Sequence, residues 1–307
     1  MGKILLFYKY IEVMYPEQVR KWQHRICESL QLTGRVIIAH EGINGTVAGS
    51  DESIAAYKHA MREHHLFNDI DFKESPGSAA DFPRLRVVVR AEIVSLGLDT
   101  KAITAAQAGV HLTPAQAHAL LADKPDNLIV LDGRNDYEAR IGTFVDAITP
   151  SIQNFREFPA YVDQHIDIFK DKEVLMFCTG GIRCERASAY LKSKGVTKEV
   201  YQIKGGIDRY IQEFPQGFFK GKNYVFDGRI AVQVSNDILT HCDICKTSFD
   251  DYTNCFNAEC NKQYIACPPC VQALENTCSA TCYDLVKHNK VKVRKIAKRT
   301  SCSSTSV

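Results

Sequence analysis

Apolar residues form short runs and helical stripes in turn along most of the chain. Ile4-Leu5-Leu6-Phe7-Tyr8 predicts a buried strand. From Pro16 to Leu32, Val19, Trp22, Ile26 and Leu30 recur three or four apart, which predicts an amphipathic helix. Arg35 to Ala39 reads as a second strand, His40 to Gly45 as a glycine-containing turn, and Thr46 to Ala48 as a third strand. Ser50 or Asp51 is placed to cap a helix running to His64. Ile70 to Lys73 and Leu85 to Val94 supply further strands. The order strand, helix, strand, strand, helix, strand predicts a ferredoxin-like α+β domain over residues 1–95.

Residues 96–123 read as a linker and a helix, which Thr113-Pro114 starts because proline is tolerated at the first helical position. From residue 124 to 220 the pattern changes. Leu128-Ile129-Val130-Leu131, Val174-Leu175-Met176-Phe177 and Val200-Tyr201-Gln202-Ile203 are near-continuous apolar runs with helical stretches between them. Runs of this kind fit strands covered on both faces, so an α/β domain with a parallel sheet is expected.

Composition adds a third region. Of 12 cysteines, eight fall between Cys242 and Cys282: Cys242, Cys245, Cys255, Cys260, Cys267, Cys270, Cys278 and Cys282. No run approaches the roughly 18 apolar residues of a membrane span, and the N-terminus lacks the apolar length of a secretory signal. A cytoplasmic chain is therefore expected, in which thiols stay reduced and CxxC pairs favour zinc over disulfides. Residues 221–286 read as a cysteine-rich zinc-binding region that holds up to two structural ions. Spacing leaves the ligand pairing open. One arrangement interleaves them, with Cys242, Cys245, Cys267 and Cys270 in one site and Cys255, Cys260, Cys278 and Cys282 in the other.

Charge is unevenly spread. The formal total is +2, from 38 basic and 36 acidic residues. Lys287, Lys290, Lys292, Arg294, Lys295, Lys298 and Arg299 all follow the last acidic residue, Asp284, and without them 31 basic residues face 36 acidic ones. Residues 287–307 read as a basic, serine-rich tail, either solvated or meeting RNA phosphates. Lys9, Arg84, Arg86 and Arg90 are candidates for a basic face on the first domain.

The sharpest chemical signal is Cys178-Thr179-Gly180-Gly181-Ile182-Arg183-Cys184, which follows a strand and opens a helix. Such a loop turns backbone N–H groups inward. The helix N-terminus and Arg183 add positive charge, and all three favour a nucleophilic thiolate on Cys178. Cysteine-dependent phosphatases have one residue more between Cys and Arg, so this smaller cradle suits sulfur on Cys178 better than phosphate. Cys184 is a candidate resolving thiol, or packs at the helix start. Asp132 and Arg134 are placed to form an ion pair supporting the loop.

These residues resemble a rhodanese domain. Leu131-Asp132-Gly133-Arg134 with Tyr137, Glu138 and Gly142 is similar to that family's early motif. Cys178 to Arg183 is similar to its active loop, and Val200 to Ile207 to its late strand and glycine pair. The resemblance implies a persulfide on Cys178 and leaves the acceptor open. With His40-Glu41-Gly42-Ile43-Asn44-Gly45-Thr46 ahead of it and the cysteine-rich segment behind, nearly the whole chain resembles the bacterial tRNA uridine hydroxylases. That resemblance implies oxygen-dependent 5-hydroxylation of the wobble uridine, with tRNA and molecular oxygen as substrates. The alternative is a persulfide sulfurtransferase with a thiosulfate or protein donor. A third reading, a non-enzymatic adaptor, sits poorly with an intact Cys178 and Arg183. No dinucleotide fingerprint is visible and no nucleotide cofactor is expected. His40, Glu41, His64 and His65 are only loose candidates for a metal triad and read as turn or surface residues.

Overall fold

The computed structural model describes residues 2–294, so Lys295, Lys298, Arg299 and Cys302 lie outside the described residues. The chain divides into two compact units, Met1–Ser235 and Asn236–Val307.

The first unit opens with β1 (Gly2–Tyr10), α1 (Pro16–Ser29), β2 (Thr33–Ala39), β3 (Gly42–Ser50), α2 (Asp51–Glu63), β4 (Asp71–Pro76) and β5 (Leu85–Val89). The sheet order is β4-β1-β3-β2-β5. Its first four strands have the antiparallel ferredoxin-like arrangement, and β5 adds a parallel edge strand beside β2. Side chains alternate across the sheet. Leu5 and Phe7 of β1, Val36 and Ile38 of β2 and Val87 of β5 enter one core with Val19 and Cys27 of α1 and Ile54, Tyr57 and Met61 of α2. Leu6, Tyr8 and Tyr10 point the other way, toward the loop from Cys178 to Arg183 described below.

Three expectations change here. The residues expected to form a turn at Gly42 to Gly45 are the start of β3, where the Phe7 ring occupies the space above Gly45. The helix expected to reach Leu32 stops at Ser29, and Gln31 turns the chain with a positive φ of 52°. The strand expected to reach Val94 ends at Val89. Beyond it the Glu92 carboxylate accepts from the N–H groups of Leu96 and Gly97, which holds this stretch as a loop.

Next come β6 (Val110–Leu112), α3 (Pro114–Asp123), β7 (Leu128–Asp132), α4 (Asp136–Ala139), β8 (Gly142–Phe144), α5 (Phe158–Gln164), β9 (Glu173–Phe177), α6 (Ile182–Ser193), β10 (Glu199–Ile203), α7 (Gly206–Glu213), β11 (Phe219–Tyr224) and β12 (Ala231–Gln233). An all-parallel sheet of order β6-β10-β9-β7 carries helices on both faces. Thr113 caps α3, accepting from the Gln116 N–H while the Gln116 side chain accepts from the Thr113 N–H. The segment read as linker and helix thus contributes β6, an edge of this sheet, and α3, which packs in its core. A small sheet of order β12-β11-β8 completes the unit.

The second unit holds the hairpin β13 (Tyr252–Asn254) and β14 (Gln263–Ile265), then α8 (Pro268–Ala273) and α9 (Ala280–Lys287). Its core is built largely from cysteines with Tyr264, Ala266, Ile244 and Phe249. Among the described residues, no helix is long and apolar enough to cross a membrane.

Candidate active site and metal centres

Cys178 directly follows β9 and Arg183 lies in the first turn of α6, so the six-residue loop sits at the C-terminal end of a central parallel strand. Gly181 is the residue before the helix and has φ +97°, a conformation that favours glycine. Its N–H donates to Cys178 Sγ at 3.2 Å. Cys178 is fully buried, which opposes ionisation. The Cys184 thiol, the Arg183 charge and the N–H groups of Cys184 and Arg183 outweigh this and bring the Cys178 pKa down to about 6. Burial and the neighbouring Cys178 push Cys184 well up. Cys184 therefore stays a thiol and donates to a Cys178 thiolate. The arrangement is that of an activated nucleophile.

Arg183 also has a structural task. It makes a two-pronged contact with Glu138, Nη1 to Oε1 at 2.5 Å and Nη2 to Oε2 at 2.7 Å, and Nη2 reaches Thr179 Oγ1 at 3.3 Å. Glu138 sits in α4, whose N-cap Asn135 gives its N–H to Glu138 Oε1. The carboxylate thus fixes both α4 and the guanidinium beside Cys178. Asp132 and Arg134 do form the expected ion pair, fully buried, with Arg134 Nε 2.9 Å from Oδ1 and Nη2 2.7 Å from Oδ2. Arg134 also donates to the Gly142 carbonyl and Thr143 to Asp132, so the pair ties β8 to the end of β7.

The loop does not stand open. A Cβ on Gly180 would lie 2.8 Å from Leu6 Cδ2, and one on Gly181 would lie 2.9 Å from the Tyr8 hydroxyl. The outward face of β1 therefore packs directly on the two glycines. Tyr8 donates to Glu185 Oε1 at 3.0 Å, and Tyr10 donates to the Ile182 carbonyl at 3.3 Å. His111 Nε2 lies 3.0 Å from the same Glu185 oxygen, and Gln202 donates to Oε2 at 3.2 Å. The Glu185 hydrogen bond raises the His111 pKa. Lys73 of β4 is buried with Nζ 4.9 Å from the Tyr8 ring centre, and burial lowers its pKa. Burial lifts the Asp208 carboxyl to about 7, against the pull of Lys73 and a hydrogen bond from Asn223. A cleft of ≈ 440 Å³ opens here, lined by Tyr8, Tyr10, Lys73, His111, Glu185 and Lys204 among others.

Sequence reasoning placed Cys178, Thr179, Gly180, Gly181, Ile182, Arg183 and Cys184 in one segment, and all belong to this loop or the start of α6. It missed the partners from elsewhere: Tyr8, Tyr10, Lys73, His111, Glu138 as a ligand of Arg183, and Asp208. His40, Glu41, His64 and His65 do not converge. His40 Nδ1 is 3.0 Å from the Val13 carbonyl, Glu41 accepts from the Ile93 N–H, and His64 packs against Trp22 and His65.

In the second unit the cysteines gather into two groups, Cys242, Cys245, Cys267, Cys270 and Cys255, Cys260, Cys278, Cys282, with the sulfurs of each group within 4.8 Å of one another. This is the interleaved arrangement. Cys245 and Cys267 sulfurs are 3.5 Å apart, Cys260 and Cys278 3.7 Å, and Cys278 and Cys282 3.9 Å. Those separations are far beyond a disulfide bond. They match the ~3.8 Å edge of a tetrahedron with Zn–S bonds of about 2.3 Å. The N–H of Cys267 points to Cys242 Sγ, that of Cys278 to Cys255 Sγ, and Asn257 Nδ2 to Cys282 Sγ. Such outer donors stabilise thiolate charge. The donor set fits a metal ion at each group.

A parallel sheet with a Cys-to-Arg loop at a strand's C-terminal end defines a rhodanese-type protein, and the Rhodanese-like domain family matches residues 113–213. The UPF0176 acylphosphatase like domain matches residues 2–93, and the Rhodanase C-terminal family matches residues 220–283. The chain is 41% identical over 290 residues to the tRNA uridine(34) hydroxylase of Corynebacterium jeikeium, covering 91% of this chain and 92% of that one. It is also 41% identical over 286 residues to the protein of that name from Pseudarthrobacter chlorophenolicus, covering 90% and 96%. The chain belongs to the tRNA uridine(34) hydroxylase family.

Proposed function

We propose that the protein hydroxylates C5 of the wobble uridine of tRNA, consuming molecular oxygen, with Cys178 as the reactive group. One observation carries the role of Cys178: a buried thiol that the Arg183 charge, loop N–H groups and the Cys184 thiol bring down to a pKa of about 6. Likeness to the named relatives at about two-fifths identity supports the substrate. Addition of the thiolate to C6 of the base leaves C5 electron-rich toward oxygen. One oxygen atom then enters the base and the other leaves as water, which requires two electrons and two protons. The C5 carbanion takes up oxygen and a proton as a hydroperoxide, and the Cys184 thiol reduces this to the alcohol, taking the outer oxygen as a sulfenic acid. Loss of the C5 proton expels the Cys178 thiolate from C6. That thiolate displaces the sulfenic oxygen of Cys184 as water to form a disulfide, which supplies the two electrons, and an external thiol returns the pair to its reduced form.

Thr179, Gly180, Gly181 and Ile182 form the cradle. Arg183 holds positive charge beside the sulfur, with Glu138 keeping it in place. The eight clustered cysteines hold two structural zinc ions. Each set of four thiolates closes the coordination shell, so the ions fold the second unit and leave the chemistry to Cys178. The protein works in the cytoplasm, where charged substrate tRNA and reduced thiols are present.

Nucleoside mass spectrometry of tRNA from a bacterial host lacking wobble-uridine hydroxylation tests this reading. The parent chain should restore 5-hydroxyuridine or its derivatives, and Cys178→Ala should not. Equal restoration by both would end the role of Cys178. Absence with both, given stable protein, would favour persulfide transfer and make cyanide-releasable sulfur on Cys178 the next thing to measure.

A further inference from the structure

The basic residues of the N-terminal sheet are not scattered. Pairing registers place Lys73, Leu6, Thr46, Arg35 and Arg86 in one row across β4, β1, β3, β2 and β5. Residues in one row of paired strands point to the same face. In this row that face is the one whose Leu6 covers Gly180 of the catalytic loop. Arg84, just before β5, and Arg90, just after it, share the alternation of Arg86. At about 4.8 Å per strand, Arg35 and Arg86 stand roughly 10 and 14 Å from Leu6. Lys9, the other basic candidate in this domain, falls on the opposite alternation and is tied to Asp69 and the Leu66 carbonyl.

All four arginines are exposed. Among the described residues none makes an ion pair, and Arg90 donates only to the Val89 carbonyl. Burial and the nearby Arg86 and Arg90 lower the Arg35 pKa, so the cations crowd one another with no carboxylate to relieve them. Elsewhere in the same domain several cations have carboxylate partners: Lys3 and Lys58 with Glu74, and Arg20 with Glu17. Planar guanidiniums bind phosphate two-pronged. The neighbouring row offers Ile37 and Val88, both half-buried, and no exposed apolar wedge that a lipid surface would need.

We propose that Arg35, Arg84, Arg86 and Arg90 form a phosphate-binding face that holds the backbone of the tRNA anticodon arm and leads its loop to the Cys178 site. This rests on the reading that tRNA is the substrate. The face begins beside the residues covering the catalytic loop, so a strand held on it needs only a few nucleotides to reach that loop.

The test uses the full chain with bound metal and a fluorescent tRNA anticodon stem-loop. Binding is followed by anisotropy across a potassium chloride series. The variant changes Arg35, Arg84, Arg86 and Arg90 to Gln, and a control changes Lys170, Lys172, Lys192 and Lys198 to Gln. Metal content and the Cys178 alkylation rate report that each variant is folded. Each lost phosphate contact removes about 0.7 from the slope of log affinity against log salt. The arginine variant should lose ten- to hundredfold in affinity and up to about 3 in slope, and the lysine control should stay near the parent. Parent-like affinity and slope in the arginine variant would overturn the proposal. So would a loss seen only toward anionic phospholipid vesicles. Failure of the parent chain itself to bind would remove the tRNA reading and this face with it.

Discussion

The Tyr8 hydroxyl donates to Glu185 across 177 positions of sequence and stands where a Cβ on Gly181 would need to go. A residue of the N-terminal sheet and the Cys178 loop are thus fitted to each other at a position only glycine fills. Gly181 also has φ +97°. Gly181→Ala should cost about 1–3 kcal/mol through backbone strain alone, and more through displacement of Tyr8. Denaturant unfolding should show the destabilisation, and the alkylation rate of Cys178 should show a misplaced loop. An alanine variant with parent-like stability and alkylation would mean that the loop tolerates a side chain there.

The Cys178 thiolate sets a pH dependence. Its folded pKa of about 6 lies below the ordinary thiol value. Ionisation therefore stabilises the folded state fully above the ordinary thiol pKa, and this contribution is lost as pH falls through about 6. Alkylation of Cys178 should follow a titration centred near pH 6, and Arg183→Gln should move that midpoint upward. The stability advantage of the parent over Cys178→Ala should grow between pH 6 and pH 9. A midpoint near the ordinary thiol value in the parent would contradict the electrostatic account.

Glu138 is buried and makes both close contacts to the Arg183 guanidinium. Removing one partner of such a pair leaves an uncompensated buried charge, at a cost of about 3–5 kcal/mol. Glu138→Gln should lower stability by a large part of that amount and cut hydroxylation at least tenfold. Glu138→Asp, which keeps the charge but shortens the reach, should fall between the two. Calorimetry and tRNA nucleoside analysis would separate lost folding from lost chemistry.

The Cys-to-Arg loop and the two cysteine groups were legible because each is written locally. The loop is one short segment between a strand and a helix, and the cysteines come in pairs with two residues between them or in other short spacings. The parallel strands were legible from their apolar runs. What was not legible depends on contacts between distant segments. Nothing in the sequence near Tyr8 or Lys73 marks them as neighbours of Cys178, or His111 as a partner of Glu185; sheet alternation and domain packing bring them there. The opening residues of β3 read as a turn because they include glycines, yet the reason for Gly45 is the Phe7 ring above it. Likewise β6, only three residues long, carries no periodicity of its own and is a strand because β10 offers it an edge.

The two cysteine groups predict a metal stoichiometry. Elemental analysis of the purified chain should give two zinc ions per chain. Changing Cys242 and Cys245 to Ser should halve this, because Cys255, Cys260, Cys278 and Cys282 form a separate set. Chelation should expose residues 236–294 to protease, because a core built on thiolates loses its cohesion without the ion. One ion per chain, or metal retained in full by the double variant, would contradict the two-site arrangement.

The central claim is that Cys178 directs oxygen from the gas to uridine. The most direct measurement is a purified reaction with unmodified tRNA, a thiol reductant and isotopically heavy oxygen gas, followed by nucleoside mass spectrometry. The account predicts heavy oxygen in the 5-hydroxyl of the wobble uridine with the parent chain and no product with Cys178→Ala. Product carrying oxygen from water, or equal product from Cys178→Ala, would contradict it.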